Sequence, residues 1–267
     1  MTTEEQKRQE DLERLRSLRP IDDDFMRCLF KDNIPLVELV LRIITGKPDL
    51  IITDCQTQKD MKRLAGARSI CLDAYGTDTM GKKYDMEVQR EDKGANPARY
   101  HSSVMDVENL DAGQKFTDLP ETYTIFILEK DFYGMGEPVY PIERINLATG
   151  KPFDDGEHIL YVNGEYRGDS DIGKLMHDFR CTDADEMNFE LMAERTRYLK
   201  ENPEGVNEMC KVIEAMRKEE REEGIKEGMR TAALRMLEAG KYAFEEIASI
   251  SGLSLDEVKK LQTGHTA

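Results

Sequence analysis

No apolar run in the sequence approaches the roughly 20 residues that a membrane-crossing helix needs, so no membrane span is expected. Cysteine is sparse: Cys28, Cys55, Cys71, Cys181 and Cys210 are odd in number, scattered, and contain no CxxC pair. A disulfide framework and a structural zinc site are therefore not expected, and a reducing cytoplasm is the natural setting. The first twenty residues are charged and helix-favouring, which reads as the absence of a signal peptide. Four histidines (His101, His158, His177 and His265) show no metal-ligand or triad spacing. Gly134 and Gly136 lack the Gly-Lys-Ser/Thr of a phosphate loop.

Basic charge is also short. The chain holds 38 Lys+Arg against 54 Asp+Glu, a net charge of −16. Proteins that neutralise phosphates usually carry a basic footprint, so this balance weighs against nucleic acid as a partner. The location of the charge weakens the objection. Residues 183–227 contribute 14 acidic and 8 basic residues in a stretch that reads as helix rather than site. Asp22-Asp23-Asp24 and the loops around Asp154, Asp155, Asp169 and Asp171 add to the excess.

Runs such as Ile125-Phe126-Ile127-Leu128 can supply a core. Residues 4–18 read as a polar, helix-prone and frayed leader. Apolar positions Phe25, Leu29 and Phe30, then Leu36, Leu39, Val40 and Ile43, recur at helical spacing around a break at Asn33-Ile34-Pro35. The spacing predicts two helices, the second closed by Gly46. Strands are predicted at 50–55, 69–75, 82–90, 123–128, 139–146 and 158–163, with a helix over about 98–114. The order predicts an α/β fold with a mixed sheet flanked by helices. Three regions are expected: a helical leader (1–19), a core (20–180) and a charged helical C-terminal region (181–267). In that last region, 204–230 reads as a long exposed helix. Short helices at 232–240, 243–249 and 254–261 follow, the last opened by a Ser254/Glu257 capping box. The segment from Ile247 to Leu253 has a helix–turn–helix look, open to DNA contact or to plain packing of short helices.

Chemistry concentrates on one predicted hairpin. Tyr84, Met86 and Val88 alternate with Asp85, Glu87 and Gln89; Ile70, Leu72 and Ala74 alternate with Cys71, Asp73 and Tyr75. A turn about Met80 would set 73 opposite 87 and 75 opposite 85, with Cβ atoms about 5 Å apart. Asp73 beside Glu87 is repulsive unless a divalent cation sits between them, and Mg²⁺ needs only one or two carboxylates. An ordinary edge hairpin with a solvated acidic face has the same spacing.

Leu72-Asp73-Ala74-Tyr75, the turn containing Gly81, and Tyr84-Asp85-Met86-Glu87-Val88-Gln89 resemble the PD-(D/E)XK nuclease family transposases, also called recombination-promoting nucleases. Asp24-Phe25 through Phe30-Lys31-Asp32, Arg99-Tyr100-His101-Ser102 and Tyr123-Thr124-Ile125-Phe126-Ile127-Leu128 agree in order and spacing, over residues 20–165. The charged helical tail ending in Leu-Ser-Leu-Asp-Glu-Val is also typical. The resemblance implies a restriction-endonuclease-like core that hydrolyses DNA phosphodiesters with Mg²⁺ or Mn²⁺, in a mobile-element or recombination setting. It puts Asp73 and Glu87 on the metal-binding positions. Gln89 stands where the superfamily at large has lysine; glutamine can orient a water but cannot supply a positive charge. Glu38 could reach the metal from an early helix or be a solvated helical residue, and Asp85 could tune the field. Arg99 and Tyr100 could hold a DNA phosphate or serve in a structural salt bridge. The alternative is a catalytically idle member acting in DNA binding, protein interaction or self-assembly through its C-terminal helices.

Overall fold

The computed structural model describes residues 3–60, 71–90 and 94–264. Its first compact unit runs to Met209 and its second begins at Cys210. The first unit opens with helix α1 (Thr3–Ser17), whose end is not frayed: Leu15 is buried, as is Leu18 just beyond it. Helices α2 (Asp23–Phe30) and α3 (Ile34–Thr45) break at the predicted place. The side chain of Asn33 accepts the N–H of Leu36, Pro35 fills an early helical position, and Gly46 closes α3 at φ 65°. Both helices bury their apolar faces, with Phe25, Leu29 and Phe30 on α2 and Leu36, Val40 and Leu41 on α3.

The strands are β1 (Ile52–Asp60), β2 (Cys71–Asp78), β3 (Lys83–Gln89), β4 (Thr122–Leu128), β5 (Val139–Ile142), β6 (Ile145–Asn146), β7 (Lys151–Pro152) and β8 (Glu157–Asn163). Six form one sheet in the order β1-β2-β3-β4-β8-β5, and β6 and β7 form a separate ribbon. β3, β4 and β8 run parallel, and the remaining pairs are antiparallel. This is the expected mixed α/β sheet. Its middle strand β4 is buried along its whole length, in keeping with an unbroken apolar run flanked by parallel neighbours.

Three strand expectations change in detail. The strand expected at 50–55 begins at Ile52 and runs on to Asp60, paired along β2. Residues 69 and 70, expected to begin β2, lie outside the described residues. The single strand expected at 139–146 divides, because β5 is an edge strand and Arg144 turns its guanidinium to Asp155 and Glu157, leading the chain into the β6–β7 ribbon. Pro141 is tolerated in β5 because an edge strand need not supply every ladder donor.

Helix α4 (Asn96–Asn109) covers one face of the sheet, burying Ala98, His101, Ser102 and Met105. These positions recur at helical spacing and form one stripe. Ser102 bonds Thr124 on β4 across 3.1 Å, fixing the helix over the central strands. The rest of the first unit is helix α5 (Asp171–Asp178), helix α6 (Glu190–Glu201) and the start of α7 (Pro203–Ala239). Buried Leu175, Met176, Phe179, Met192 and Leu199 contribute to the core, which explains why this unit extends past residue 180. The second unit comprises the remainder of α7, α8 (Phe244–Ser251) and α9 (Leu255–Gly264). Residues 232–240 continue α7 until Gly240, at φ 63°, stops it. Ala233, Ile247, Leu253 and Val258 form this unit's core, and Ser254 and Glu257 make the expected reciprocal capping bonds. Among the described residues, no helix is long and apolar enough to cross a membrane.

Candidate metal centre

The β2–β3 hairpin has the expected turn. Asp78 accepts the N–H groups of Met80 and Lys82, and Gly81 adopts φ 82°, which a side chain would strain. Tyr75 pairs with Asp85 as the alternation required. The regular ladder ends at Ala74↔Met86, one residue short of Asp73 and Glu87. Beyond that point carboxylates replace backbone acceptors. Oε1 of Glu87 accepts the Asp73 N–H at 2.9 Å, and Oδ2 of Asp73 faces the Val88 N–H at 3.4 Å. The opening of the ladder thus turns both acidic side chains inward against the backbone of the neighbouring strand.

Asp73, Asp85 and Glu87 are all buried. Arg27, on α2, holds Oδ1 of Asp73 through Nε and Nη2, each at 3.0 Å, and also meets Asp24. Asp85, completely buried, receives a different partner: Nδ1 of His101 lies 2.9 Å from its Oδ2 and 3.9 Å from Oε1 of Glu87. The His101 ring packs edge-on against Phe126, 5.4 Å between centroids, so β4 fixes its orientation. The ligand-capable atoms of Asp85, Glu87 and His101 all lie within 4.8 Å of one another.

Burial pushes the Asp85 carboxyl well above the ordinary carboxylate range; the charge of Asp73 adds to the rise and a hydrogen bond with Glu87 opposes it. Glu87 is raised in the same way by burial, then by the charges of Asp85 and Asp73, with His101 and the Asp73 N–H pulling it back. A divalent cation suits these residues. Among the described residues, Oδ1 of Asp85 is buried without a hydrogen-bond partner. A buried polar oxygen without a partner is costly, and two carboxyl groups plus one imidazole make a donor set that divalent ions accept.

Sequence reasoning passed over two of these residues. His101 has no ligand spacing in the sequence because its partners lie on other elements; its visible signal is its place on the inward stripe of α4. Arg27 reaches Asp73 from a helix 46 positions earlier. The other sequence candidates lie apart from the cluster or beside it. Oε2 of Glu38 accepts the Ile52 N–H at 2.9 Å, and Glu38 pairs with Arg42. Ile52 pairs with Asp78, five residues along β2 from Asp73 and so roughly 17 Å away. Glu38 therefore anchors the start of β1. Gln89 is half-buried at the end of β3, with its carbonyl accepting the Glu129 N–H. Arg99 and Tyr100 are exposed on α4, immediately before His101. A second group, His177, Asp178 and Cys181, also lies close together. There Asp178 is occupied in accepting the N–H groups of Asn188 and Phe189 at the entry to α6.

A six-stranded mixed sheet flanked by helices, with acidic side chains and one imidazole gathered where the β2–β3 ladder opens, defines an α/β protein with a candidate divalent-cation site. The chain belongs to the PD-(D/E)XK nuclease family transposases, whose family profile matches residues 34–234. No curated protein and no solved structure matches it.

Proposed function

We propose that the chain is a divalent-metal-dependent DNA endonuclease. The observation that carries this reading is the meeting of buried Asp85, Glu87 and His101 at the open end of the hairpin, where the N–H of buried Asp73 bonds Glu87 and, among the described residues, one oxygen of Asp85 has no partner. Asp73 and Glu87 would hold a Mg²⁺ or Mn²⁺ ion, whose chemistry there would be to polarise the scissile phosphate and lower the pKa of an attacking water. Gln89, on the same strand as Glu87, orients that water by hydrogen bonding. Arg27 sets the rotamer of Asp73, and Arg99 and Tyr100 contact a backbone phosphate from the exposed side of α4. The substrate is duplex DNA in a mobile-element or recombination setting, and the protein works in the cytoplasm. Self-association, where it occurs, uses the C-terminal helices.

A second reading is favoured by a specific contact. The Arg27 guanidinium already neutralises Asp73, as it would in an idle member that has dispensed with its cation. Nicking of supercoiled plasmid by the purified chain separates the two: cleavage that requires Mg²⁺ or Mn²⁺ and stops with chelator supports the nuclease, and no cleavage with either ion supports the idle scaffold.

A further inference from the structure

We propose that Asp85, Glu87 and His101 form a mixed carboxylate–imidazole position that binds a first-row divalent transition ion in preference to Mg²⁺. The position shares Glu87 with the nuclease centre, so this deepens the nuclease reading and rests on it for the ion's role; binding itself is measured separately.

Three observations carry the assignment. The first is spacing. Metal–ligand bonds of about 2.1 Å put adjacent ligands roughly 3 Å apart and opposite ligands roughly 4.2 Å apart. His101 Nδ1 stands 2.9 Å from Asp85 Oδ2 and 3.9 Å from Glu87 Oε1, within that range. The second is the unpartnered oxygen. Asp85 is wholly buried and, among the described residues, its Oδ1 has no hydrogen-bond partner beyond the neighbouring carboxyl of Glu87, while Arg27 is committed to Asp73 and Asp24. The third is the donor type. Mg²⁺ keeps oxygen ligands and sheds water reluctantly, whereas imidazole nitrogen suits transition ions. The edge contact with Phe126 and burial within α4 hold the imidazole against the carboxylates. On binding, the ion takes the place of the proton between Nδ1 and Oδ2, and that proton passes to solvent.

The test uses the full chain loaded with Mn²⁺ and examined by pulsed electron paramagnetic resonance, alongside equilibrium binding of Mn²⁺ and Mg²⁺. The expected result is a directly coordinated ¹⁴N coupling that changes to ¹⁵N in histidine-labelled protein and persists in His177→Gln. Mn²⁺ should bind on the order of 10-fold or more tighter than Mg²⁺, and His101→Gln should abolish the coupling and close the gap. The labelled wild-type spectrum keeps the test decisive even where His101→Gln fails to fold. Absence of histidine nitrogen coupling in Mn²⁺-loaded wild type, or its loss in His177→Gln, overturns the proposal. Plasmid cleavage without that coupling would leave the nuclease reading standing and remove this one; coupling without cleavage does the reverse.

Discussion

Arg27 holds Oδ1 of the buried Asp73 through two nitrogens of its guanidinium, both at 3.0 Å, bringing α2 directly to the mouth of the β2–β3 hairpin. The contact gives the buried carboxylate a counter-charge in the absence of any cation. Removing one member of a buried pair strands the other, at a cost of about 3 kcal/mol where the partner is itself partly exposed. Arg27→Gln should therefore lower the melting temperature of the metal-free protein. Added Mn²⁺ should restore part of the loss, since an ion that binds only the folded state stabilises it by mass action. Thermal unfolding with and without Mn²⁺ measures both effects, and an unaltered metal-free melting point would count against the contact.

Asp73→Asn gives the opposite balance. The amide keeps the shape and removes a charge that raises Glu87 and Asp85, while Arg27 retains Asp24. Metal-free stability should change by less than about 1 kcal/mol, because the lost ion pair and the relieved repulsion offset each other. The stabilisation by Mn²⁺ seen in wild type should shrink sharply. Differential scanning calorimetry over a Mn²⁺ titration checks the pair of expectations.

Much of this was legible beforehand, for local reasons. The α2–α3 break, the Gly46 stop and the hairpin register all follow from neighbouring residues, as does the Ser254/Glu257 cap, and each was found as expected. What escaped depended on long-range packing. Leu15 and Leu18 stand with Leu12 at three-residue spacing in an otherwise polar leader, too sparse a stripe to announce a core position, yet the fold buries both. His101 meets Asp85 only because α4 crosses the face of β3 and β4. Charge was informative in part: the second unit has 11 acidic and 10 basic residues, so nearly all the net charge of −16 belongs to the first unit, which contains the site.

The elevated carboxyls set a pH dependence. Asp85 and Glu87 titrate above their ordinary values of 3.8 and 4.5 when folded, so between those values and the folded ones the native state binds more protons than the unfolded chain. Their contribution is present in full at low pH and is lost as pH rises through the folded values. Asp85→Asn, which cannot ionise, should show a smaller loss of stability than wild type on going upward from about pH 4. Urea unfolding midpoints of the two proteins across that range give the comparison; parallel pH profiles would contradict it.

The boundary after Met209 also has a consequence. Met209 is fully buried and Glu208 pairs with Lys31 at 3.1 Å, so the start of α7 belongs to the first unit. A chain ending at Glu214 should remain folded. One ending at Asn202 should lose on the order of 2 kcal/mol with the burial of Met209. Circular dichroism melts of the two truncations decide whether this difference exists.

Plasmid nicking by wild type, Asp73→Asn, Glu87→Gln and Gln89→Lys, at equal concentrations of folded protein in Mg²⁺, Mn²⁺ and chelator, tests the central claim most directly. The account predicts metal-dependent nicking by wild type and a loss of at least about 100-fold in the two acidic-residue variants, as expected for interactions that act at the transition state. It predicts equal or faster cleavage by Gln89→Lys. Metal-independent nicking, or the same background rate in all four proteins with either ion, would contradict it.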